Sequence, residues 1–573
     1  MRIMTLGNGT ELHIHDDHFS VYTEGFRLLD LFVESAVNKP DESDLDKEIH
    51  LIEINNSSVR WKAVSRLWEE KLYLLKKTKS GFLFSVSVSG SGAVQSIDYF
   101  CGTRSFNQKR ESALLSGENE KPPIHCIGSH YAFSGYSQVN VHFTDRARAC
   151  HLMQDAPAVL KPYHTGSLPF VFPLFTDWSD VWHGIGLVAK KGEHNFDCFT
   201  LNAPANGWEE NGCWFSVDFG GKTMVTDSWT SPCIWYDTGK DDMDILNKYA
   251  LWQYENLGFA RNPSKNAVPA WWKGPIFCGW SAQGDLQNKK PLPGGEKDYA
   301  DEKSYRLFHS MLKERNLEPS IIMIDDKWQK EYGTLEPDPE KWPDLRKFAD
   351  EMHAEGKHVI LWFRCWHPEG LPADECITVN GMPMFADPTN PKYLSRLKDA
   401  IHHLLSEEKG CCNCDGFKLD FIDKYPKDNR FEAFEPGVYG LELGRKLMEA
   451  ICTFAKAVKL DALMNMTHLH PYLAEFCDQY RIHDFHTNQR GTRATMEYRA
   501  ECAKTLMPGV LVDMDGFWCV TKQEQLHMLK YNAKLGVPAL YRFYSGFNQE
   551  DWEQVKAWWD EYKATEIDTH INE

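Results

Sequence analysis

No apolar run in this chain approaches the roughly 18 residues that a bilayer span requires, so no transmembrane helix is expected. Basic residues are in deficit. Sixty-three Lys and Arg stand against 82 Asp and Glu, and a formal net charge of −19 has the wrong sign for a nucleic-acid surface. The opening MRIMTLGNGTELHIHDD lacks the charged start and apolar core of a secretory signal, which points to the cytoplasm. A second Cys-x-x-Cys is also missing. The cluster Cys411, Cys412 and Cys414 therefore has no partner at zinc spacing, and the sixteen cysteines read as reduced thiols, several in core segments such as Cys278, Cys452 and Cys502. No metal and no cofactor are expected.

What the 573 residues do contain is material for at least two domains. Residues 1–241 offer short alternating runs, among them LIEI, FLFSVSVSG, SQVNVHF, GIGLVAKKG and CWFSVDF, broken by Gly, Asn, Asp and Ser. This pattern predicts an antiparallel β-sandwich. Residues 242–257 carry a helical pattern, and RNPSKNAVPAWWKGP reads as a linker, so 242–269 forms a connection. From 270 to 573 the periodicity changes. Eight strand-like runs follow one another: IFCGW (276–280), SIIMIDD (320–326), HVILWF (358–363), GFKLDF (416–421), ALMNM (462–466), QYRIHD (479–484), GVLVDMD (509–515) and PALYRFY (538–544). Between them lie amphipathic stretches such as SYRLFHSMLKERN, DLRKFADEMHAEG and YLSRLKDAIHHLLSEE. Strands alternating with helices in this number predict a (β/α)8 TIM barrel, whose active site lies at the carboxyl ends of its strands.

Those ends collect Trp280, Asp325, Asp326, Trp362, Arg364, Lys418, Asp420, Arg481, Asp484, Asp513 and Asp515. A single Asp after a strand is commonly a cap or turn residue. Charged ends on five strands of one barrel, however, converge on one mouth. Facing carboxylates beside aromatic rings and cations suit glycoside hydrolysis, in which one carboxylate attacks the anomeric carbon and the other protonates the leaving oxygen. Aromatic faces such as Trp280, Trp328 and Trp362 would pack on the sugar ring, and charged groups would bind its hydroxyls. A carbohydrate is the expected partner.

IDDKW (324–328), PDPEKWPDLRKFADEMHAEGKHVILWF, DGFKLDF and YRIHD, in that order, resemble glycoside hydrolase family thirty-six, the melibiase-like α-galactosidases and their raffinose synthase-like relatives. The resemblance covers about residues 265 to 545. It implies a retaining α-glycosidase acting on α-galactosides, with Asp420 as nucleophile and Asp484 as general acid and base. It further implies that Asp325, Asp326 and Lys418 hold sugar hydroxyls and that Arg481 binds sugar.

Some positions depart from that family's pattern. Lys327 stands in an Asp-Asp-Gly-Trp motif where Gly is common, His483 precedes Asp484 where Ser or Cys is usual, and the third strand ends in WFRCWHPEG. These positions surround the sugar, so a modified or anionic α-hexoside is a second expectation, with Arg364 and Lys327 as partners for the charge. Two other readings stay open. A transglycosylase would use the same covalent intermediate, and a metal-dependent hydrolase would use His468, His470, His483 and His486. The chain ends soon after the eighth strand, so the C-terminal β-domain of many relatives is expected to be absent, its contacts replaced in a homo-oligomer.

Overall fold

In this computed structural model the described residues are 2–566, excepting 8, 102–103, 106–107, 110–112, 115–124, 127–164, 167–169, 177–178, 198, 203–213, 264–266, 423, 427–429, 483–484, 487–491 and 519–520. They form two compact units, one running to Phe259 and joined by a short segment around 436–442, the other holding most of the chain from Ala260 on.

The first unit is built of antiparallel sheets, the largest with nine strands and two more with five each. Strand Ser58–Ser65 shows why. Val59, Trp61 and Ala63 are buried while Arg60, Lys62 and Val64 between them are exposed, the period-two pattern of a sheet with one wet face. Sheets then pack through their aromatic faces. Phe19 meets Phe82 edge-on at 5.4 Å between centroids, and Phe172 meets Phe199 at 5.3 Å, which gives the layered core of a sandwich. Helix Asp242–Asn256 starts at the cap Asp241, whose side chain accepts from the Asp244 N–H. It docks on this unit by way of two glycines. A Cβ at Gly184 would lie 2.6 Å from Ile245, and one at Gly186 would lie 2.7 Å from Tyr249.

His183, buried in this unit beside the Tyr236 hydroxyl at 2.8 Å, makes its pH response predictable. Burial lowers its pKa to about 3. An imidazole neutral in the fold but protonated when unfolded contributes stability that is complete above about pH 6.5 and lost as pH falls toward 3. Between pH 7 and 4.5 wild type is expected to lose roughly 2–3 kcal/mol relative to His183→Gln, read from urea unfolding of the full chain. A gap that does not change with pH would contradict a buried neutral His183.

The second unit is the (β/α)8 barrel. Its strands are Ile276–Cys278, Ile321–Ile324, His358–Arg364, Gly416–Asp420, Leu463–Met466, Gln479–Arg481, Leu511–Asp513 and Ala539–Leu540. The first seven pair in parallel in chain order, and the eighth pairs in parallel with the first. A parallel bridge between Asp513 and Val537 closes the ring between the seventh and eighth strands, with the Val537 N–H donating to the Val512 carbonyl at 2.8 Å. Strands wholly buried, such as Ile321–Ile324, are apolar throughout, as a sheet covered on both faces requires.

The outer helices carry their own start signals. Asp301, Asp344 and Asn390 cap Glu302–Glu314, Leu345–Ala354 and Pro391–Leu405, and Thr521 with Glu524 forms a capping box on Lys522–Leu535. The alternation breaks once. Between the fifth and sixth strands the connection is a short 3-10 helix, Pro471–Phe476. Gly416, at φ +146°, opens the fourth strand where a Cβ would sit 2.2 Å from the Leu463 carbonyl oxygen.

Inside the barrel, Ile276, Cys278, Ile321, Met323, Ile360, Leu463 and Leu511 pack together. They fix which parity of each strand faces inward. Two residues further along, the same faces carry Asp325 above Met323, Trp362 and then Arg364 above Ile360, and Asp513 above Leu511, so strand periodicity alone delivers polar groups to the mouth.

Candidate active site

Asp420 ends the fourth strand, and both oxygens of its carboxylate are held. Arg481 Nη2 donates to its Oδ1 at 3.0 Å, and Trp362 Nε1 donates to its Oδ2 at 3.0 Å. Its side chain keeps 19% exposure, so it is fixed from behind and open in front. Arg481, nearly fully buried on the sixth strand, spans two acids, its Nη1 also donating to Asp515 Oδ2 at 3.1 Å. A guanidinium and an indole N–H directed at one carboxylate present it as the anion, the state a nucleophile needs.

Beside this group lies a buried ion pair. Lys418 Nζ donates to Asp325 Oδ2 at 2.7 Å, and the Cys278 thiol donates to the same oxygen at 3.0 Å. Burial pulls the Lys418 ammonium down, but the charge of Asp325 outweighs it and leaves the pKa above the lysine norm. Burial and the Asp325 charge both raise the Cys278 thiol, which stays protonated as a donor. Next to it, Asp326 accepts from the Tyr332 hydroxyl at 2.7 Å and lies 3.5 Å from Lys297. Burial pushes the Asp326 carboxyl above the usual range against those two partners.

The seventh strand adds a further acidic layer. Asp513 accepts from Asn465 Nδ2 at 2.7 Å, and its carboxyl is pushed up to about 6 by burial and by the charge of Asp515. Asn465 is a member of this layer that strand-end reading overlooks, because it lies within the apolar run ALMNM. Tyr332 is likewise unseen in the sequence. It sits in the loop after the second strand, where no periodicity marks it.

Asp325, Asp326, Trp362, Arg364, Lys418, Asp420 and Arg481 are thus brought together. Trp280 is half-buried, begins the helix after the first strand and packs against the barrel core. Trp328 departs from its expected role. Its side chain is fully buried, with 0% exposure, and its indole N–H donates to the Trp362 carbonyl at 2.8 Å, so it supports the mouth from beneath and offers no face to a sugar. Asp484 and His483 lie outside the described residues.

Metal-ligating groups do not gather at this mouth among the described residues. His468 and His470 follow the fifth strand and are buried, and His470 Nδ1 accepts from the Tyr472 N–H at 3.0 Å as a helix cap. The His353, His358 and Asp415 group lies where the third and fourth strands begin, at the opposite end of the barrel. There Lys459 already supplies a cation to Asp415, at 3.0 Å. Cys412 and Cys414 are buried free thiols, raised by that burial.

Residues 294–562 match the family model of the glycosyl hydrolases family 31 TIM-barrel domain. No curated protein matches the sequence. Among solved structures, the chain is similar to an uncharacterized protein from Listeria monocytogenes in complex with glucose, with a TM-score of 0.51 and 12% identity over 98% of this chain. It spans 54% of that protein's length. It is also similar to a GH31 family sulfoquinovosidase from E. rectale (TM-score 0.53, 12% identity, 96% of this chain and 82% of that one) and to a cycloalternan-degrading enzyme from Trueperella pyogenes (TM-score 0.51, 10% identity, 96% and 83%). At these identities the likeness is one of fold. The family thirty-six resemblance is overturned by the family match, because short strand-end motifs answer to what a barrel mouth needs and separate related barrels poorly. The barrel of this chain is matched by glycosyl hydrolase family 31.

Proposed function

We propose that the protein is a retaining α-glycoside hydrolase acting on an α-hexoside, with Asp420 as the nucleophile. The observation that carries this reading is the hold on Asp420. Both its oxygens are engaged by fixed donors at the end of the fourth strand, beside the Lys418–Asp325 pair, in a barrel that matches family 31. Asp420 attacks the anomeric carbon while Asp484, at the end of the run QYRIHD, gives a proton to the leaving oxygen. Water, deprotonated by Asp484, then cleaves the glycosyl-aspartate ester. Two displacements at one carbon return the α configuration.

Arg481 keeps Asp420 oriented, and Asp325, Asp326 and Lys418 bind hydroxyls of the ring. The preference for galactose rested on the family thirty-six resemblance and goes with it. A transglycosylase would share every step but the last, where an acceptor hydroxyl replaces water.

The test is a panel of activated aryl α- and β-hexosides, with the first-formed anomer read by proton NMR and with chelator present. Chelator-resistant release of the α anomer from α-glycosides alone is expected. Release of the β anomer would mean inversion and would remove Asp420 from the role of nucleophile, and loss of activity with chelator would favour a metal-dependent hydrolase.

A further inference from the structure

Two carboxylates share one guanidinium at the mouth. Arg481 directs Nη2 at Asp420 Oδ1, 3.0 Å away, and Nη1 at Asp515 Oδ2, 3.1 Å away. The two acids are placed differently. Asp420 keeps 19% side-chain exposure, whereas Asp515 and Arg481 are each 2% exposed, so Asp515 lies too deep to meet a sugar.

Asp515 also holds an uncommon backbone conformation. Its φ is +55°, in the left-handed region that few residues besides Gly, Asn and Asp enter. The residue is pinned there, its Oδ1 accepting from the Gly516 N–H at 2.7 Å while its own N–H donates to Asp513 Oδ1 at 2.9 Å. Asp513 in turn accepts from Asn465 Nδ2 at 2.7 Å. A chain of bonds thus runs from Asn465 through Asp513, Asp515 and Arg481 to Asp420. A buried polar chain of this kind, carried on a left-handed residue, imposes geometry on the group at its end.

The charges along it act on Asp420 in opposite senses. Arg481 favours the Asp420 anion, as do Lys418 on the same strand and Arg364, its register partner on the third. Asp515 competes for Arg481 from the far edge. It is itself faced by Asp513, whose carboxyl is pushed up to about 6 by burial and by the Asp515 charge, and by the Tyr541 hydroxyl after the eighth strand, which burial and Asp515 keep protonated. An attacking carboxylate must be ionised, yet it loses its charge as the glycosyl ester forms, so a cation fixed on it alone would slow the attack.

We propose that Asp515 is a positioning residue for the nucleophile: it anchors the far edge of Arg481 and draws part of that charge away from Asp420, which stays ionised and aimed without being over-stabilised. This rests on the α-glycosidase reading above and adds to it a buried carboxylate that acts only through Arg481.

The experiment records kcat/KM against pH for an activated aryl α-hexoside with wild type, Asp515→Asn and Asp515→Gly, each with a thermal melt. Asparagine keeps an acceptor for Nη1 without the charge, and glycine suits φ +55° while removing both. With the negative charge gone, Arg481 acts more fully on Asp420 and favours its anion. The acid limb is therefore expected to move to lower pH by about half a unit or more in Asp515→Asn, and the plateau to fall by about tenfold or more. The same direction is expected in Asp515→Gly, which carries the test should the asparagine variant not fold. An acid limb within about 0.2 unit of wild type in a folded variant, or one moved to higher pH, leaves Asp515 a structural role and overturns the proposal. The shift should persist when Asp513→Asn is present in both proteins compared, and a shift that vanishes there belongs to Asp513 and overturns it as well. Folded wild type that cleaves no α-glycoside is a separate outcome, because it ends the glycosidase reading itself, and this assignment falls with it.

Discussion

Asp420→Ala is expected to lower kcat by on the order of 10⁴- to 10⁶-fold while the barrel stays folded. The loss is large because no neighbouring group can take over. Asp325 is tied to Lys418 and Cys278 in a buried cluster, and Asp515 accepts from the far side of Arg481. The cost to the fold is small by comparison. Asp420 is partly open to solvent, and its removal leaves Arg481 still bonded to Asp515. Turnover of an activated aryl α-glycoside, measured with a thermal melt of the same sample, checks both halves. The space vacated would admit azide, which should restore part of the turnover and yield the β-glycosyl azide. A folded variant within about tenfold of wild type would place the nucleophile elsewhere.

Lys418→Met should act on stability as much as on chemistry. The Lys418–Asp325 pair is 4% and 3% exposed, and removing the ammonium leaves a carboxylate in a low-dielectric interior that keeps the Cys278 thiol and the Asp326 N–H as donors. Breaking a buried pair from one side costs about 3–5 kcal/mol, whereas replacing both partners by apolar groups costs far less. Urea unfolding should therefore show a large loss in Lys418→Met and recovery in Lys418→Met combined with Asp325→Leu. The loss should also shrink as pH falls. A carboxylate buried without its cation is penalised while it is ionised, and protonation in acid relieves that cost. A single variant within about 1 kcal/mol of wild type would mean that the pair contributes little.

Much of the barrel was legible because its signals are local. Eight apolar runs, most of them separated by amphipathic helices of which four carry side-chain caps, each announce themselves, and once Ile321 and Met323 face inward, Asp325 must follow them. The same parity places Trp362 with Arg364 and Lys418 with Asp420. Groups that enter the site from loops obey no such rule. Tyr332 lies six residues beyond Asp326 and reaches it only through the path of its loop, and Glu369 meets Lys327 from a different loop. Burial was misjudged at Trp328 for a related reason. A tryptophan near a strand end can face the cavity or brace the wall behind it, and the hydrogen bond to the Trp362 carbonyl that settles the choice comes from a neighbouring strand. The family was misjudged because the motifs compared were the ones that related sugar-cleaving barrels share.

The most direct test of the account is covalent trapping. An activated 2-deoxy-2-fluoro glycoside of the preferred sugar, incubated with the full chain, should add one sugar mass per chain, and fragmentation of the peptide GFKLDF should locate it on Asp420. The adduct should be absent from Asp420→Ala. A label on another carboxylate, or turnover with inversion and no adduct, would contradict the two-displacement mechanism assigned to this site.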